Sequence, residues 1–165
     1  LKKYPVTGYL TVIIFQGAFT FWLVYYGSNA LMGPVPWQGM VISALLIGGF
    51  YPLTQIYQHQ QDLDDGVQTI SYKLGYTGTF IFCGIVYLAA WIFMAQFFIH
   101  KNEAGNLLLV SIFFVPVVVY FIKWYGEVKK NSAAANFKNT MRMNWLAAAC
   151  TNLAFIILLT WKYVE

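Results

Sequence analysis

Five long apolar stretches, separated by short segments rich in polar residues, glycine or proline, organise the chain. They run from about Thr7 to Tyr26, Trp37 to Tyr57, Tyr76 to Ile99, Asn106 to Trp124 and Asn144 to Trp161. Each is close to the roughly 20 helical residues that cross the hydrocarbon core of a bilayer, and none alternates polar and apolar residues as a lipid-facing β-strand does. Because lipid admits only helices and closed barrels, the pattern predicts an all-α fold, a polytopic bundle of about five transmembrane helices.

Helix-breaking and polar residues mark three of the predicted turns. Gly27 and Pro36 bound the first turn, and Asn102 with Gly105 marks the third. A long polar stretch from Glu127 to Asn139 predicts the fourth. The second turn coincides with a cluster of acidic residues.

The composition excludes a soluble domain. Hydrophobic residues make up 59% of the 165 residues and charged residues 10%, with a mean hydropathy of +0.59. Soluble domains carry about 25% charged residues, which help to cover their surface. We therefore expect one integral, multi-pass membrane domain over residues 1–165. The net charge of +4 is a poor indication of nucleic-acid binding, and no nucleic-acid partner is expected.

The basic residues predict which side of the membrane each turn faces. If the stretches alternate, one side receives eight of the ten Lys and Arg residues: Lys2, Lys3, Lys73, Lys123, Lys129, Lys130, Lys138 and Arg142. The other side receives Lys101 and Lys162. By the positive-inside rule the first side is cytoplasmic, and we expect the protein in the cell (inner) membrane, in contact with membrane lipid.

An acidic cluster is the strongest candidate for chemistry. Asp62, Asp64 and Asp65 directly follow a run from Tyr4 to Gln61 that contains no Asp, Glu, Lys or Arg. Acid at the end of a membrane stretch is costly unless it meets a cation, and carboxylate oxygens are ligands of Mg²⁺. The cluster lies on the predicted cytoplasmic side, so a site formed there opens to the cytoplasm.

Most residues around the cluster also have a purely structural interpretation. Asp64 is expected to be a solvated acid. Gly66 and Gly75 are expected to serve the backbone at turns. Thr69 suits the N-cap of a helix that starts at the next residue. For His59, contact with an anionic ligand and a solvated loop position are both open.

The segment from Tyr51 to Gly75 resembles the second aspartate-rich motif of the UbiA-type intramembrane prenyltransferases. In that motif D-x-x-x-D is followed by G-x-x-T, a basic residue and a final glycine. Asp62 matches the second aspartate, and Gly66 with Thr69 matches the G-x-x-T. Lys73 matches the basic residue.

The resemblance implies a nine-helix fold, of which this chain supplies the last five helices as a C-terminal fragment. The first four helices, and the first aspartate-rich motif with them, would precede Leu1. Gln58 stands where the family usually has the first aspartate of the second motif. One carboxylate is thereby replaced by an amide oxygen, which could coordinate through water, so metal affinity is expected to be weaker.

The resemblance also implies an activity: Mg²⁺-dependent transfer of a prenyl group from an isoprenyl diphosphate to an aromatic or lipid acceptor. The implied metal ligands are Gln58, Asp62 and Asp65. The implied catalytic residues are Asp62 and Lys73. The implied substrate-binding residues are Tyr57, His59, Thr69, Lys73 and Arg142.

Two other classes of function stay open. Acidic residues beside apolar helices also suit a cation-coupled transporter or channel subunit, although transporters usually hold ionisable groups near the bilayer midplane. Gln58, in place of an aspartate, is compatible with a degenerate, non-catalytic membrane subunit.

Overall fold

The computed structural model of the chain describes residues 4–28 and 36–164, with side chains as far as Trp161. These residues are helical almost throughout and contain no strand. Five helical segments are long and apolar enough to cross a membrane: Pro5–Gly27, Trp37–Asp64, Ile70–His100, Ala104–Lys130 and Phe137–Trp161. The predicted all-α class and the five membrane-length helices are confirmed. Most of the predicted first turn, residues 29–35, lies outside the described residues.

The chain divides into two compact units, Leu1–Phe97 and Phe98–Glu165. The first unit starts with α1 (Pro5–Val12), a π-helical segment (Ile13–Phe19) and α2 (Thr20–Gly27), which together form the first membrane-length helix. It continues with α3 (Trp37–Gln55), a 3₁₀ turn (Ile56–Gln58), α4 (His59–Asp64) and most of α5 (Ile70–His100).

The first membrane-length helix packs closely on α3 through small residues. A Cβ atom on Gly17 would lie 2.5 Å from the Cα atom of Ala44, so only glycine permits this approach of the two backbones. The Tyr9 hydroxyl donates a hydrogen bond of 3.2 Å to the carbonyl oxygen of Gly48. Small residues and interhelical hydrogen bonds are the usual means by which helices associate in lipid, where apolar burial gives little driving force.

The helix α5 is interrupted at Gly75, which has φ 66° and ψ 179°. This backbone region is essentially restricted to glycine. The residues before Gly75 form a short first part of α5, and the predicted third stretch, Tyr76 to Ile99, corresponds to the part that follows. The polar segment and the membrane-length helix are thus separated by one residue with a non-helical backbone.

The second unit contains α6 (Ala104–Lys130) and α7 (Phe137–Val164). Asn102 has φ 56° and forms the turn before α6 as predicted. Gly105, in contrast, lies in the first turn of α6 rather than in the connection. The penalty of a glycine in a helix, about 1 kcal/mol relative to alanine, is small enough for the rest of the helix to override, so glycine alone did not mark the boundary.

The predicted fourth turn, from Glu127 to Asn139, is too long, because both helices extend into it. The Trp124 indole nitrogen donates a hydrogen bond of 2.8 Å to the Ala134 carbonyl oxygen, which ties the turn to the end of α6. The Asn136 side-chain oxygen accepts the Asn139 backbone N–H at 3.0 Å and caps α7. A polar stretch predicts a loop, but polar residues on an exposed helix end are equally compatible with helix, and the caps set the boundary.

Candidate functional site

The connection between α4 and α5 is built by residues of the segment that resembles the UbiA-type motif. α4 ends in a Schellman motif, in which Gly66 adopts the left-handed conformation with φ 66°. Its N–H donates to the Leu63 carbonyl oxygen at 3.1 Å, and the Val67 N–H donates to the Asp62 carbonyl oxygen at 2.7 Å. These two hydrogen bonds satisfy carbonyls that a helix end leaves open, and they explain why a glycine stands four residues after Asp62.

Thr69 links the acidic helix to the next one through a single hydroxyl. Its oxygen accepts the Tyr72 backbone N–H at 3.2 Å, so Thr69 is the N-cap of α5, as predicted. The same hydroxyl donates to a carboxylate oxygen of half-buried Asp62 at 3.3 Å. The spacing of Asp62, Gly66 and Thr69 therefore has one local cause. The end of α4, the left-handed glycine and the N-cap of α5 follow one another directly and are joined by hydrogen bonds.

The three predicted metal ligands, Gln58, Asp62 and Asp65, offer few donor atoms to a metal ion. The Gln58 amide nitrogen donates a hydrogen bond of 2.9 Å to the Tyr57 hydroxyl, which leaves the amide oxygen as the atom available to a cation. Asp65 is exposed at the end of α4. Across the residues that the structure describes, no group of three or more His, Cys, Asp or Glu side chains could hold a metal ion.

This donor set fits magnesium only in part. Mg²⁺ is commonly held by one or two carboxylates and takes its other ligands from substrate phosphate and water, and Asp62 retains a carboxylate oxygen beyond the one bonded to Thr69. A metal bound by protein side chains alone does not fit. A cation at this position would therefore bind together with a phosphate-bearing ligand.

His59 is neither solvated nor in a loop, so that interpretation is wrong. It is the first residue of α4, and its side chain is 8% exposed. Its Nε2 atom lies 2.8 Å from the Ser71 hydroxyl. Its ring stacks on Tyr76, with centroids 4.7 Å apart, and meets the Tyr72 ring edge-on at 5.8 Å. The predicted substrate contact of His59 remains a prediction.

Two buried hydroxyls beside His59 escaped the sequence analysis. Ser71 and Thr79 are both 0% exposed, and their hydroxyl oxygens lie 3.1 Å apart. The signal available in the sequence is a repeat of small or hydroxyl residues at every fourth position, through Gly75, at the start of an apolar stretch. Gln55 was also missed: its side-chain oxygen is buried and, within the described part of the chain, lacks a hydrogen-bond partner.

The other charged residues near the connection are exposed. Asp64 accepts a hydrogen bond of 3.2 Å from the Gln60 amide and is exposed, as expected for a solvated acid. Lys73 is exposed in the first turn of α5, where its backbone N–H donates to the Thr69 carbonyl oxygen at 3.1 Å. Its side chain can thus reach a ligand from the solvent side.

Arg142 belongs to the second compact unit, where its side chain is exposed on α7. Its role in substrate binding remains a prediction. Tyr57, in contrast, lies in the first unit and is hydrogen-bonded to its neighbour Gln58, so these two predicted site residues do meet.

Comparison of the chain with protein-family models, with curated proteins and with solved structures found no match. A functional assignment therefore depends on the residues described above and on the resemblance of the segment from Tyr51 to Gly75 to the UbiA-type motif.

Proposed function

We propose that this chain acts in an intramembrane prenyltransferase of the UbiA type, which moves a prenyl group from an isoprenyl diphosphate to an aromatic or lipid acceptor with Mg²⁺. The observation that carries the proposal is the connection of Asp62, Gly66 and Thr69 at the end of a membrane-length helix. A half-buried carboxylate held by a neighbouring hydroxyl is oriented in a way that a freely solvated loop acid is not.

The local charge explains why a diphosphate would need a cation. Residues 59–75 contain three aspartates and one lysine. A diphosphate approaching these carboxylates would be repelled unless a divalent ion lay between them. Asp62, with Gln58 and Asp65, would hold Mg²⁺ together with the diphosphate. When bound, the ion neutralises negative charge on the diphosphate oxygens.

The chain's own residues supply orientation, positive charge and an apolar environment. The Thr69 hydroxyl holds the Asp62 carboxylate. The Thr69 carbonyl oxygen accepts the Lys73 N–H in the first turn of α5. The exposed Lys73 ammonium would stabilise the departing diphosphate as the bond to the allylic carbon breaks, and this interaction grows as charge develops. The prenyl tail would lie against apolar helices or lipid, where each buried methylene contributes about 0.8 kcal/mol.

A comparison of two aspartates tests the proposal. In the full-length protein, Asp62→Asn is expected to lower Mg²⁺-dependent prenyl transfer by about tenfold or more, equivalent to roughly 1.4 kcal/mol of transition-state stabilisation. Asp64→Asn is the matched control and should change the rate little, because Asp64 is exposed and its side chain accepts a hydrogen bond from the neighbouring Gln60 on the same helix. The measurement is transfer from a labelled isoprenyl diphosphate at several Mg²⁺ concentrations. Equal, small effects of both substitutions would remove Asp62 from the site.

A non-catalytic membrane subunit is the second candidate. Two observations favour it: Gln58 replaces a carboxylate of the motif, and the described residues contain no group of three acidic, His or Cys ligands. The same assay discriminates between the two, since a folded full-length protein that transfers no prenyl group with any donor would support this class. Gln58→Asp, which restores the carboxylate, would in an enzyme lower the Mg²⁺ concentration needed for half-maximal rate.

A further inference from the structure

A chain of buried polar side chains joins α4 to both parts of α5. His59 Nε2 lies 2.8 Å from the Ser71 hydroxyl, and that hydroxyl lies 3.1 Å from the Thr79 hydroxyl. All three side chains are buried. Polar groups removed from water are unfavourable unless they are hydrogen-bonded, so the protons in this chain must be ordered.

The direction of the hydrogen bonds follows from the carbonyl groups at one end. The Thr79 hydroxyl lies 2.7 Å from the Gly75 carbonyl oxygen and 3.1 Å from the Ser71 carbonyl oxygen, and both can only accept. The Gly75 carbonyl oxygen is the nearer of the two, and with the Thr79 proton donated to it the Ser71 hydroxyl is the donor to Thr79. The Ser71 oxygen is then left to accept, so His59 donates from a protonated Nε2.

The hydrogen-bonded series His59, Ser71 and Thr79 spans the interruption of α5. Ser71 lies before Gly75 and Thr79 after it, and Tyr76, the first residue beyond the interruption, stacks on the His59 ring. His59 thus contacts side chains from both sides of the non-helical residue. The segment before Gly75 carries Lys73 and is capped by Thr69, the residue that holds Asp62.

We propose that His59 is a positioning residue for the site around Asp62: through Ser71 and Thr79 it fixes the first part of α5, and with it Thr69 and Lys73, relative to α4. His59 then acts through other residues and not as a ligand of the diphosphate. The effect on catalysis rests on the proposed prenyl transfer. The hydrogen-bonded clamp, formed by His59, Ser71 and Thr79, does not depend on that activity.

Hydrogen exchange of the full-length protein in lipid nanodiscs tests the clamp without any assay of activity. Thr79→Val keeps the side-chain shape and removes the hydroxyl, and His59→Phe keeps a ring and removes the donor. Each should raise amide exchange in residues 70–75 by about tenfold, the effect expected from losing one buried hydrogen bond. Because both break the same chain, the double variant should exchange no faster than either single variant.

Two controls make this result specific. Thr79→Ser retains a hydroxyl and should restore exchange to near the wild-type rate, and Gln60→Ala changes an exposed neighbour on α4 and should have no effect. Unchanged exchange in Thr79→Val, or additive effects in the double variant, would overturn the clamp. If His59→Phe does not fold, the Thr79→Val and Thr79→Ser pair decides alone.

Kinetics of the same variants test the positioning role. Thr79→Val should raise the KM for the prenyl donor, and the Mg²⁺ concentration for half-maximal rate, by about fivefold or more, and Thr79→Ser should rescue both. A purely structural loss would reduce the amount of active protein and leave both quantities at the wild-type value, which would overturn the role. A wild-type protein without prenyl transfer would overturn the proposed function and the positioning together, while the exchange result would still stand for the clamp.

Discussion

At the scale of single residues, the segment from the end of α4 into α5 depends on two glycines with positive φ, one in the connection and one within α5. Gly66 and Gly75 both have φ 66°, and apart from residues adjacent in the chain neither has an atom within 4 Å of where a Cβ would lie. Their requirement is therefore for backbone conformation and not for space. Both were predicted to serve the backbone, and that interpretation is confirmed.

Replacement of Gly75 by alanine should destabilise the protein through backbone strain. Gly75→Ala is expected to lower the free energy of unfolding by about 1–3 kcal/mol, because an L-residue rarely adopts φ 66° with ψ 179°. Gly126→Ala is the matched control: it also has open space around the Cβ position but lies within α6, where alanine should be neutral or stabilise by up to about 1 kcal/mol. Thermal unfolding in detergent measures both. Equal midpoints for the two variants would contradict the strain.

At the scale of secondary-structure elements, capping residues decide where helices end. The turn between α6 and α7 consists of polar residues that the pattern could not separate from helix. The Asn131 side-chain oxygen accepts the Ala133 backbone N–H at 3.0 Å. The Asn136 side chain donates to the Ala133 carbonyl oxygen at 2.9 Å and accepts the Asn139 backbone N–H. These side chains replace the backbone partners that the helix ends lack.

Removal of the Asn136 side chain should loosen the start of α7. Asn136→Ala is expected to cost about 1 kcal/mol of stability, the usual effect of losing an N-cap. Ser132→Ala, an exposed position in the same turn, is expected to change stability by less than about 0.5 kcal/mol. Amide exchange at residues 137–140, together with the unfolding midpoint, reports the difference. Exchange rates that match in both variants would exclude a capping role.

At the scale of the whole molecule, the distribution of basic residues predicts the orientation in the membrane. Five of the eight residues on the predicted cytoplasmic side are exposed in the second unit: Lys123, Lys129, Lys130, Lys138 and Arg142. Positive charge of this kind is retained on the cytoplasmic side during insertion. The acidic connection and the turn between α6 and α7 are therefore expected on the same side.

Labelling of single cysteines tests this orientation in the full-length protein. Asp64→Cys and Ser132→Cys, both at exposed positions, should react with a membrane-impermeant maleimide only when the cytoplasmic side is accessible, as in inside-out vesicles. Lys101→Cys, exposed in the turn before α6, should react only from the opposite side. Buried Cys83 and Cys150 give a low background. Reaction of positions 64 and 132 from opposite sides would refute the alternation of the helices.

The sequence by itself determined the five membrane-length helices, because the hydrophobic length that a bilayer requires is a property of local composition. It also predicted the backbone role of Gly66 and the N-cap role of Thr69 in the acidic connection, although not the hydrogen bond between Thr69 and Asp62. The Asp62 carboxylate and the Thr69 hydroxyl that bonds it are seven residues apart, so their contact follows from a helix end, one glycine and a helix start. Errors fell at boundaries, such as Gly105 and the ends of α6 and α7, where polar residues suit helix and turn equally.

Only the tertiary structure decided the contacts between segments that are separate in the chain. The buried contact of His59 is with Ser71, twelve residues away, and Ser71 in turn meets Thr79 from beyond the non-helical residue Gly75. The hydrogen bond from Tyr9 to Gly48 crosses 39 residues. Residue type and spacing do not determine such contacts, because they depend on which helix faces meet and how closely two backbones approach. For that reason the sequence identified Asp62 as a candidate but not the buried hydroxyls beside it.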